Sequence, residues 1–292
     1  MKIILFSRPQ TCRSGEELKR LFDAVEHHGF DYAINSEFAG AASRIAGIEI
    51  PADRIYGNEI GAQPEGTVML CYGGDGTLLE GVHRLDGREL PVIGVNSGHL
   101  GFLASAPKEN IEAILDDIES GNLKFERRSM LEVSGVPGLG EKRLYALNES
   151  AVQRLGATMI TIHAYVDGQM TATYNGNGVI ISTPTGSTAY SLSAGGPIIT
   201  PACNCLAISP LSAHNLAIRP LVIPDSSEIK LDIDTRDNPA TVSADNRTYE
   251  ISGDVSLTVR RAQRSIFLAV PHNISFYDTL RNKMMWGVDI RM

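Results

Sequence analysis

Residues 68–82 read VMLCYGGDGTLLEGV, and this stretch predicts the fold of the N-terminal part of the chain. Its first five residues are apolar enough to form a buried strand, and its glycines allow a tight turn after that strand. Leu78, Leu79 and Val82 then mark the apolar face of a helix. The start of such a helix presents unpaired backbone N–H groups, which suit an anion. The stretch therefore predicts a strand, a glycine turn and a helix, with a ligand at the turn.

Asp75 lies in the middle of this turn, where its carboxylate would repel a bound anion unless it binds a cation or accepts a proton. A simpler interpretation is an Asp-Gly turn that only reverses the chain, but such a turn would join two strands. The turn is not a P-loop, because no lysine follows the glycines. Neither this turn nor Gly176-Asn177-Gly178 is a dinucleotide-binding fingerprint, because both lack the third glycine of that motif.

Strands and helices alternate on both sides of this stretch. Further strands are predicted at 2–6, 30–34 and 91–95. Ser14 and Glu17 predict a capping box at the start of one amphipathic helix, and Gly121 predicts the end of another. The alternation indicates an α/β domain with a parallel sheet over residues 1–125. In such sheets ligands bind beyond the carboxyl ends of the strands.

The pattern changes near residue 125. Between 126 and 270, apolar and polar residues alternate as in strands, for example over 160–166, where Asp167-Gly168 then offers a hairpin turn. We therefore expect a β-rich second domain over 126–270. The chain ends in a tail over 271–292, in which the stretch from Phe276 to Met292 is compatible with a helix or a short strand.

Charge and cysteine content restrict the partners. The chain has 292 residues and a formal net charge of −8, which disfavours nucleic-acid binding. A phosphate ligand must then be held locally, by backbone N–H groups, a few arginines or a metal. The 4 cysteines show no Cys-x-x-Cys spacing, which indicates reduced thiols in the cytosol. No apolar run approaches the roughly 20 residues of a membrane span. We expect a cytoplasmic protein with neither a nucleic-acid nor a membrane partner.

Three further segments combine polar groups with turns. Residues 96–103 form a second glycine turn after a predicted strand, or a plain strand–helix connection. Asn148-Glu149 can bind ribose hydroxyls or the edge of a base, or can simply end a strand. Residues 176–197 are rich in hydroxyl and N–H groups that can cradle a pyrophosphate, and Tyr190 can lie against a flat ring. The alternative for this last segment is an ordinary Ser/Thr-rich loop.

Together these segments resemble the NAD kinase family. The matching pieces, in the family's order, are 73–77, 96–103, Asn148-Glu149, 177–193 and 243–245. The resemblance extends from the first strand to the C-terminus. Gly-Gly-Asp-Gly-Thr alone is moderately specific, because diacylglycerol and sphingoid lipid kinases and 6-phosphofructokinases carry relatives of it. Thr-Pro-Thr-Gly-Ser-Thr-Ala-Tyr together with the Asn-Glu pair is highly specific.

The resemblance implies an NAD kinase-like, two-domain fold with the active cleft between the domains and the tail returning to the first. It implies a kinase that phosphorylates the 2′-hydroxyl of the adenosine ribose of NAD to give NADP. The donor is implied to be ATP, with a divalent metal, usually Mg²⁺; some members also accept polyphosphate. Family members usually form homodimers or homotetramers.

The resemblance also assigns site residues. Asp75 is the implied catalytic residue, acting on the 2′-hydroxyl as a general base or as an orienting, metal-linked carboxylate. Gly76 would contact the substrate through its backbone, and Asn148 and Glu149 would hold the adenosine part of NAD. Further implied NAD-binding positions are Thr158, Asn177, Thr188, Ala189, Tyr190, Ser191, Leu192, Ser193 and Asp245.

Two positions depart from the family pattern. Asn177 replaces the usual Asp at the position implied to face the nicotinamide ribose, so we expect a changed affinity or NAD-versus-NADH preference. Arg247 stands where Gln is common, as a surface residue or a phosphate contact. Arg154 and Arg219 are phosphate partners or merely solubilising charges.

Two other functions stay open at this point. A lipid kinase could share the glycine turn, but the chain has no extra apolar segment for an acyl chain. A non-catalytic dinucleotide sensor would fit Asn177, although the retained Asp75 argues against it.

Overall fold

The structure, a computed structural model, describes residues 2–98, 101–104, 106–236, 238–272 and 274–287. The chain divides into two units: Met1–Arg127 with Ile266–Met292, and Arg128–Ser265. None of the helices within these described ranges is long and apolar enough to cross a membrane.

The first unit contains a parallel sheet with helices. Its strands are β1 (Lys2–Phe6), β2 (Asp31–Asn35), β3 (Ile55–Tyr56), β4 (Val68–Tyr72), β5 (Val92–Asn96) and β6 (Ala106–Pro107). The order across the sheet is β3-β2-β1-β4-β5-β6, with every pair parallel. The helices are α1 (Gly15–His27), α2 (Ser36–Ala46), α3 (Asp75–Arg84) and α4 (Ile111–Ser120).

The strand order places the glycine turn at a ligand-binding position. From β1 the chain moves outward to β2 and β3, and it then returns to β4 and continues in the opposite direction to β5. In parallel sheets, the carboxyl ends of two strands where this direction reverses form a crevice in which ligands bind. Arg8 follows β1 and Gly73 follows β4, so both lie at this edge.

The helix starts show where local sequence decides the structure and where it does not. The Ser14 side chain accepts a hydrogen bond from the Glu17 backbone amide, as predicted. The predicted capping box is only half correct, because the Glu17 carboxylate forms an ion pair with Lys108 instead. Helix α2 was not predicted, because its buried face is mostly alanine and gives little apolar contrast.

The second unit is β-rich. It contains most of β7 (Lys124–Ser134) and of β18 (Asp254–Val270), which both extend into the first unit. Its other strands are β8 (Leu144–Ala146), β9 (Glu149–Arg154), β10 (Ile160–Val166), β11 (Gln169–Gly176), β12 (Gly178–Ser182), β13 (Cys205–Leu211), β14 (Leu221–Pro224), β15 (Ile229–Asp234), β16 (Ala240–Ala244) and β17 (Arg247–Ile251). One antiparallel sheet has the order β14-β13-β12-β9-β16-β17. Another antiparallel run, β11-β10-β15-β18, begins with the predicted Asp167-Gly168 hairpin, where both φ angles are positive.

Two short helices complete the chain. Helix α5 (Tyr190–Ser193) follows a 3₁₀ turn at Thr185–Thr188 in the second unit. Helix α6 (Phe276–Met284) belongs to the first unit and starts with a capping box between Ser275 and Asp278. Of the predicted tail, residues 273 and 288–292 lie outside the described ranges. The predicted fold class, a parallel α/β part followed by a β-rich part, is confirmed.

Leu78 anchors the helix that carries Asp75, and its side chain is fully buried. We expect Leu78→Ala to lower the free energy of unfolding by about 2–5 kcal/mol, because it leaves a cavity beneath α3. Urea denaturation followed by circular dichroism measures this change. Leu216→Ala is the matched control, since Leu216 is 85% exposed and its truncation should change the stability little. Equal effects of the two substitutions would contradict this packing.

Candidate active site

The Asp75 carboxylate is held by the loop that follows β5. Asp75 is the first residue of α3, and its Oδ2 accepts a hydrogen bond from the Phe102 amide at 2.9 Å. Its Oδ1 accepts from the amides of Leu103 at 3.1 Å and Ala104 at 2.9 Å. The sequence predicts a cation or a proton at Asp75. The three backbone amides are a further source of stabilisation for the carboxylate that the sequence did not show.

Gly101 allows this close approach. A Cβ atom at position 101 would overlap Oδ1 of Asp75. The second glycine turn is therefore more than a strand–helix connection, because it folds over the carboxylate. Asn96 stabilises the same loop: its side chain donates to the Ala104 carbonyl at 3.3 Å and accepts from the Gly98 amide at 2.7 Å. His99 and Leu100 of this turn lie outside the described residues.

Two cations near the turn were missed from the sequence. The Lys283 ammonium of α6 lies 3.7 Å from Oδ2 of Asp75. The Arg8 guanidinium donates to the Thr77 hydroxyl at 3.3 Å and would be 3.1 Å from a Cβ at Gly76. The sequence signal for Arg8 was its position directly after β1. Lys283 offers no local signal, because it follows Asp75 by more than 200 residues.

In the second unit, Asp245 clamps the backbone of the Asn-Glu pair. Its carboxylate accepts hydrogen bonds from the amides of Leu147 at 2.8 Å, Asn148 at 2.8 Å and Glu149 at 3.3 Å. The Asp245 amide donates back to the Glu149 carbonyl at 2.9 Å. Asp245 has a φ of 51°, in the left-handed region, so it also forms the turn between β16 and β17. The clamp fixes where Asn148 and Glu149 place their side chains.

Asn148 and Glu149 present polar atoms without partners. The Oδ1 atom of Asn148 and the Oε2 atom of Glu149 are buried and accept or donate no hydrogen bond within the described part of the chain. An unsatisfied buried polar group costs about 1–3 kcal/mol, so such atoms are typical of a site that a ligand completes. Asn148 itself is only 7% exposed.

Glu149 is a protonatable group at neutral pH. Burial and the nearby Asp245 carboxylate raise the pKa of Glu149 to about 8, against an opposing hydrogen bond from the Tyr190 backbone amide. The carboxyl group therefore keeps its proton at pH 7 and can donate a hydrogen bond as well as accept one.

The hydroxyl-rich loop uses part of its polar groups to fix its own shape. Thr183 donates to the Leu147 carbonyl at 2.6 Å, and the Ser187 hydroxyl donates to Pro184 and accepts from the Ile199 amide. Ser191 is fully buried and shares a hydrogen bond with Ser209 at 2.9 Å. These three hydroxyls are hydrogen-bonded within the protein, so a ligand cradled by this loop would use its other polar groups.

Close packing against the Asn-Glu pair explains one glycine of this loop. A Cβ at Gly186 would overlap the carbonyl oxygen of Asn148. The loop continues into α5, where the partly exposed Tyr190 hydroxyl is hydrogen-bonded to Gln153. The polar groups of the loop that stay accessible are those of Thr188, Tyr190 and Ser193, with Ala189 and Leu192 between them.

The other predicted positions are more dispersed. Asn177 lies between β11 and β12, and its Oδ1 accepts a hydrogen bond from Nε of Arg154 at 2.6 Å. Thr158 lies exposed between β9 and β10, apart from the Asn148–Asp245 group. Arg219 donates to the carbonyls of Leu216 and Ile218.

Arg247 has a structural contact. Its guanidinium donates to the Tyr145 carbonyl at 2.9 Å, so it does not act as a free surface charge.

The glycine turn does not present a preformed metal site. Three of the roughly four lone-pair positions of the Asp75 carboxylate accept backbone amides, so this side chain can offer a metal ion at most one ligand position. The one group in the described ranges with ligand atoms close enough to share an ion is His28, Asp116 and Glu119. These carboxylates already face the His28 imidazole, at 3.8 and 3.2 Å. We therefore derive no catalytic step through a protein-bound metal.

Comparisons with known sequences agree with this arrangement. Residues 62–123 match the ATP-NAD kinase N-terminal domain, and residues 147–271 match the ATP-NAD kinase C-terminal domain. The chain is 36% identical over 293 residues to the NAD kinase of Bacteroides fragilis, covering 100% of both chains. It is 40% identical over 225 residues to the NAD kinase of Cytophaga hutchinsonii, covering 77% of both.

Two solved structures share the fold. Yeast NADH kinase complexed with NADH superposes with a TM-score of 0.85 at 21% identity, covering 100% of this chain and 89% of that one. The NAD kinase of Archaeoglobus fulgidus in complex with ATP gives 0.73 at 23% identity, covering 98% of both chains.

Both halves of the chain thus match kinase domains, so the protein is a phosphotransferase enzyme. The chain belongs to the NAD kinase family, which phosphorylates NAD to NADP with ATP and uses a divalent metal. None of the matches supports a lipid kinase or a non-catalytic sensor.

The raised pKa of Glu149 predicts a pH-dependent stability. Between about pH 4.5, its ordinary pKa, and about pH 8, the folded protein holds a proton that the unfolded chain releases. The contribution of Glu149 to the free energy of unfolding is therefore greatest below about pH 4.5 and falls as the pH rises to about 8. We expect Glu149→Gln to flatten this dependence in urea denaturation between pH 5.5 and 8.5.

The exposed Glu250 of β17 provides the control. Glu250→Gln should leave the wild-type pH dependence of stability in place. A Glu149→Gln variant with the same slope as the wild type would contradict the assignment.

Proposed function

We propose that this chain transfers the terminal phosphoryl group of ATP to the 2′-hydroxyl of the adenosine ribose of NAD, with Asp75 as the general base. The 2′-oxygen forms a bond to the γ-phosphorus, and the bond from that phosphorus to the β,γ-bridging oxygen breaks. ADP leaves with the electron pair, and the hydroxyl proton passes to Asp75. A ribose hydroxyl is a weak nucleophile at neutral pH, so a positioned carboxylate accelerates this step.

One observation carries the substrate assignment: the unpartnered buried atoms of Asn148 and Glu149. The Asn148 oxygen can accept from a base amino group or a ribose hydroxyl. The protonated Glu149 can donate to a ring nitrogen or a ribose oxygen. This mixed donor–acceptor character suits an adenosine better than a phosphate, which needs donors only. We propose that the two side chains bind the adenosine of NAD.

The remaining predicted residues take supporting roles in this proposal. Thr188, Tyr190 and Ser193 bind the dinucleotide through the polar groups that the loop leaves accessible, and Ala189, Ser191 and Leu192 shape that loop. Thr158 and Asn177 contact the outer parts of NAD, and Gly76 does so through its backbone. Asp245 acts through its clamp on 147–149, since its carboxylate is turned onto these amides.

The geometry of Asp75 is compatible with accepting a proton. Oδ1 accepts two backbone amides, whereas Oδ2 accepts one and keeps a lone pair. The Lys283 ammonium lies 3.7 Å from Oδ2, beyond hydrogen-bond distance, so it leaves this lone pair accessible. We assign proton acceptance to Oδ2.

Asp75→Asn tests the catalytic role. The amide cannot accept the proton, so we expect kcat to fall by about 10²–10⁴-fold while the Kd for NAD stays within a few-fold of the wild type. A coupled NADP assay and isothermal titration calorimetry measure the two quantities. Asp86→Asn, at an exposed position two residues beyond the end of α3, is the control and should retain full activity. Near wild-type turnover of Asp75→Asn would refute the role.

Mg²⁺ is the metal we propose, bound by the phosphates of ATP and by water. This ion usually keeps several waters and binds through substrate phosphates rather than a complete set of protein ligands. The engaged carboxylate of Asp75 agrees with such binding.

A cytoplasmic location and homo-oligomers complete the proposal. The four cysteines are free thiols, as is usual in reducing compartments. Strand β14 lies at the edge of its sheet and exposes Leu221 and Val222, which suits association of copies. We expect light scattering to give the mass of a dimer or tetramer, and Val222→Glu to shift it toward the monomer. A monomeric wild type would contradict the oligomer.

A further inference from the structure

The geometry points to Lys283 as a positioning residue for the phosphoryl transfer: its helix contacts the loop whose amides hold the Asp75 carboxylate, and its ammonium balances the charge of that carboxylate. This inference rests on the proposed role of Asp75 as the base. Lys283 is the one cation that lies within 4 Å of the Asp75 carboxylate across the described ranges.

The contact is built by helix α6. Phe276 and Lys283 are seven residues apart, so they lie on the same face of the helix. Both reach Phe102: the two phenyl rings have centroids 6.3 Å apart, and the Lys283 ammonium lies 4.7 Å from the Phe102 ring centroid. The amide of the same Phe102 donates to Oδ2 of Asp75. Helix α6 therefore holds both the loop and the carboxylate.

Stability alone does not explain the ion pair. The side chains of Lys283 and Asp75 are 36% and 29% exposed, and such partly exposed pairs contribute little to folding. The separation of 3.7 Å is too long for a hydrogen bond, so the three N–H donors of the ammonium are not used by Asp75. The lysine therefore places a positive charge beside the carboxylate, while its N–H donors make no hydrogen bond to that carboxylate.

Phosphoryl transfer gives this charge a role. The incoming γ-phosphoryl group is negative, and the Asp75 carboxylate repels it. A fixed ammonium next to Oδ2 offsets that repulsion as the negative charge approaches, and such preorganised charge compensation is the main source of catalysis in this reaction class. Cation–π contact with Phe102 keeps the ammonium in place before substrates arrive.

Lys283→Met removes the charge and keeps most of the side-chain length. We expect kcat to fall about 10–100-fold, with the KM for NAD and the melting temperature nearly unchanged. Lys283→Arg should restore most of the lost rate, because it restores the charge. Lys19→Met, an exposed lysine on α1, is the matched control and should behave as the wild type. Unchanged kcat in Lys283→Met, or a loss that Lys283→Arg does not rescue, would overturn the proposal.

A double-mutant cycle separates this inference from the proposed function. If Lys283 acts through Asp75, adding Lys283→Met to Asp75→Asn should lower kcat no further. Losses that multiply would show a role independent of Asp75 and would overturn the positioning role. If the single variant Asp75→Asn kept full turnover, the assignment of Asp75 as the base would fail instead. That result does not depend on any substitution of Lys283.

Discussion

The carboxylate of Asp75 accepts hydrogen bonds from three successive backbone amides, those of Phe102, Leu103 and Ala104, and the proposed active site of the first unit depends on this contact. The glycine turn places Asp75 at the start of α3, and the sheet brings the loop after β5 beside it. Gly101 leaves the space that the carboxylate fills. The negative charge is stabilised by the dipoles of these three amides and also by its place at the start of α3, since a helix N-terminus attracts anions.

The second unit contains the same arrangement of one aspartate carboxylate and three backbone amides. Asp245 accepts hydrogen bonds from the amides of Leu147, Asn148 and Glu149, again three in succession, and thereby sets the positions of two side chains that each carry one unpartnered oxygen. In both units one aspartate shapes an irregular segment that no strand or helix ladder could hold. The two aspartates differ in what they leave without a partner: Oδ2 of Asp75 keeps a lone pair of its own, whereas beside Asp245 the buried Oδ1 of Asn148 and Oε2 of Glu149 have no hydrogen bond within the described residues.

Local patterns predicted much of the fold. The strand, turn and helix around Asp75, the Ser14 cap, the left-handed Gly121 and the Asp167-Gly168 hairpin all depend on residues within a few positions of one another. The alanine-rich helix α2 was missed because methyl groups alone give weak periodicity.

Long-range contacts account for what the sequence could not show. Asp75 binds backbone amides almost 30 residues away, and amides carry no side-chain signal. Glu17 does not complete the predicted capping box, because its carboxylate forms an ion pair with Lys108, which is far away in the sequence, just before α4. The sequence identified Gly101 only as a glycine in a turn. The structure shows why a glycine is required there: the Asp75 carboxylate fills the space that a Cβ atom would take. The buried, unpartnered state of Asn148 and Glu149 likewise depends on packing.

Amides bonded to side-chain carboxylates exchange their hydrogens with solvent slowly, even in segments that lack regular secondary structure. Deuterium uptake by the amides of residues 102–104 should therefore show whether Asp75 is hydrogen-bonded to them. Uptake by the amides of 147–149 should show the same for Asp245. A ligand that draws Asp75 away would speed exchange in the first set and leave the second unchanged, so the two halves of the molecule can be followed separately in one mass-spectrometry experiment.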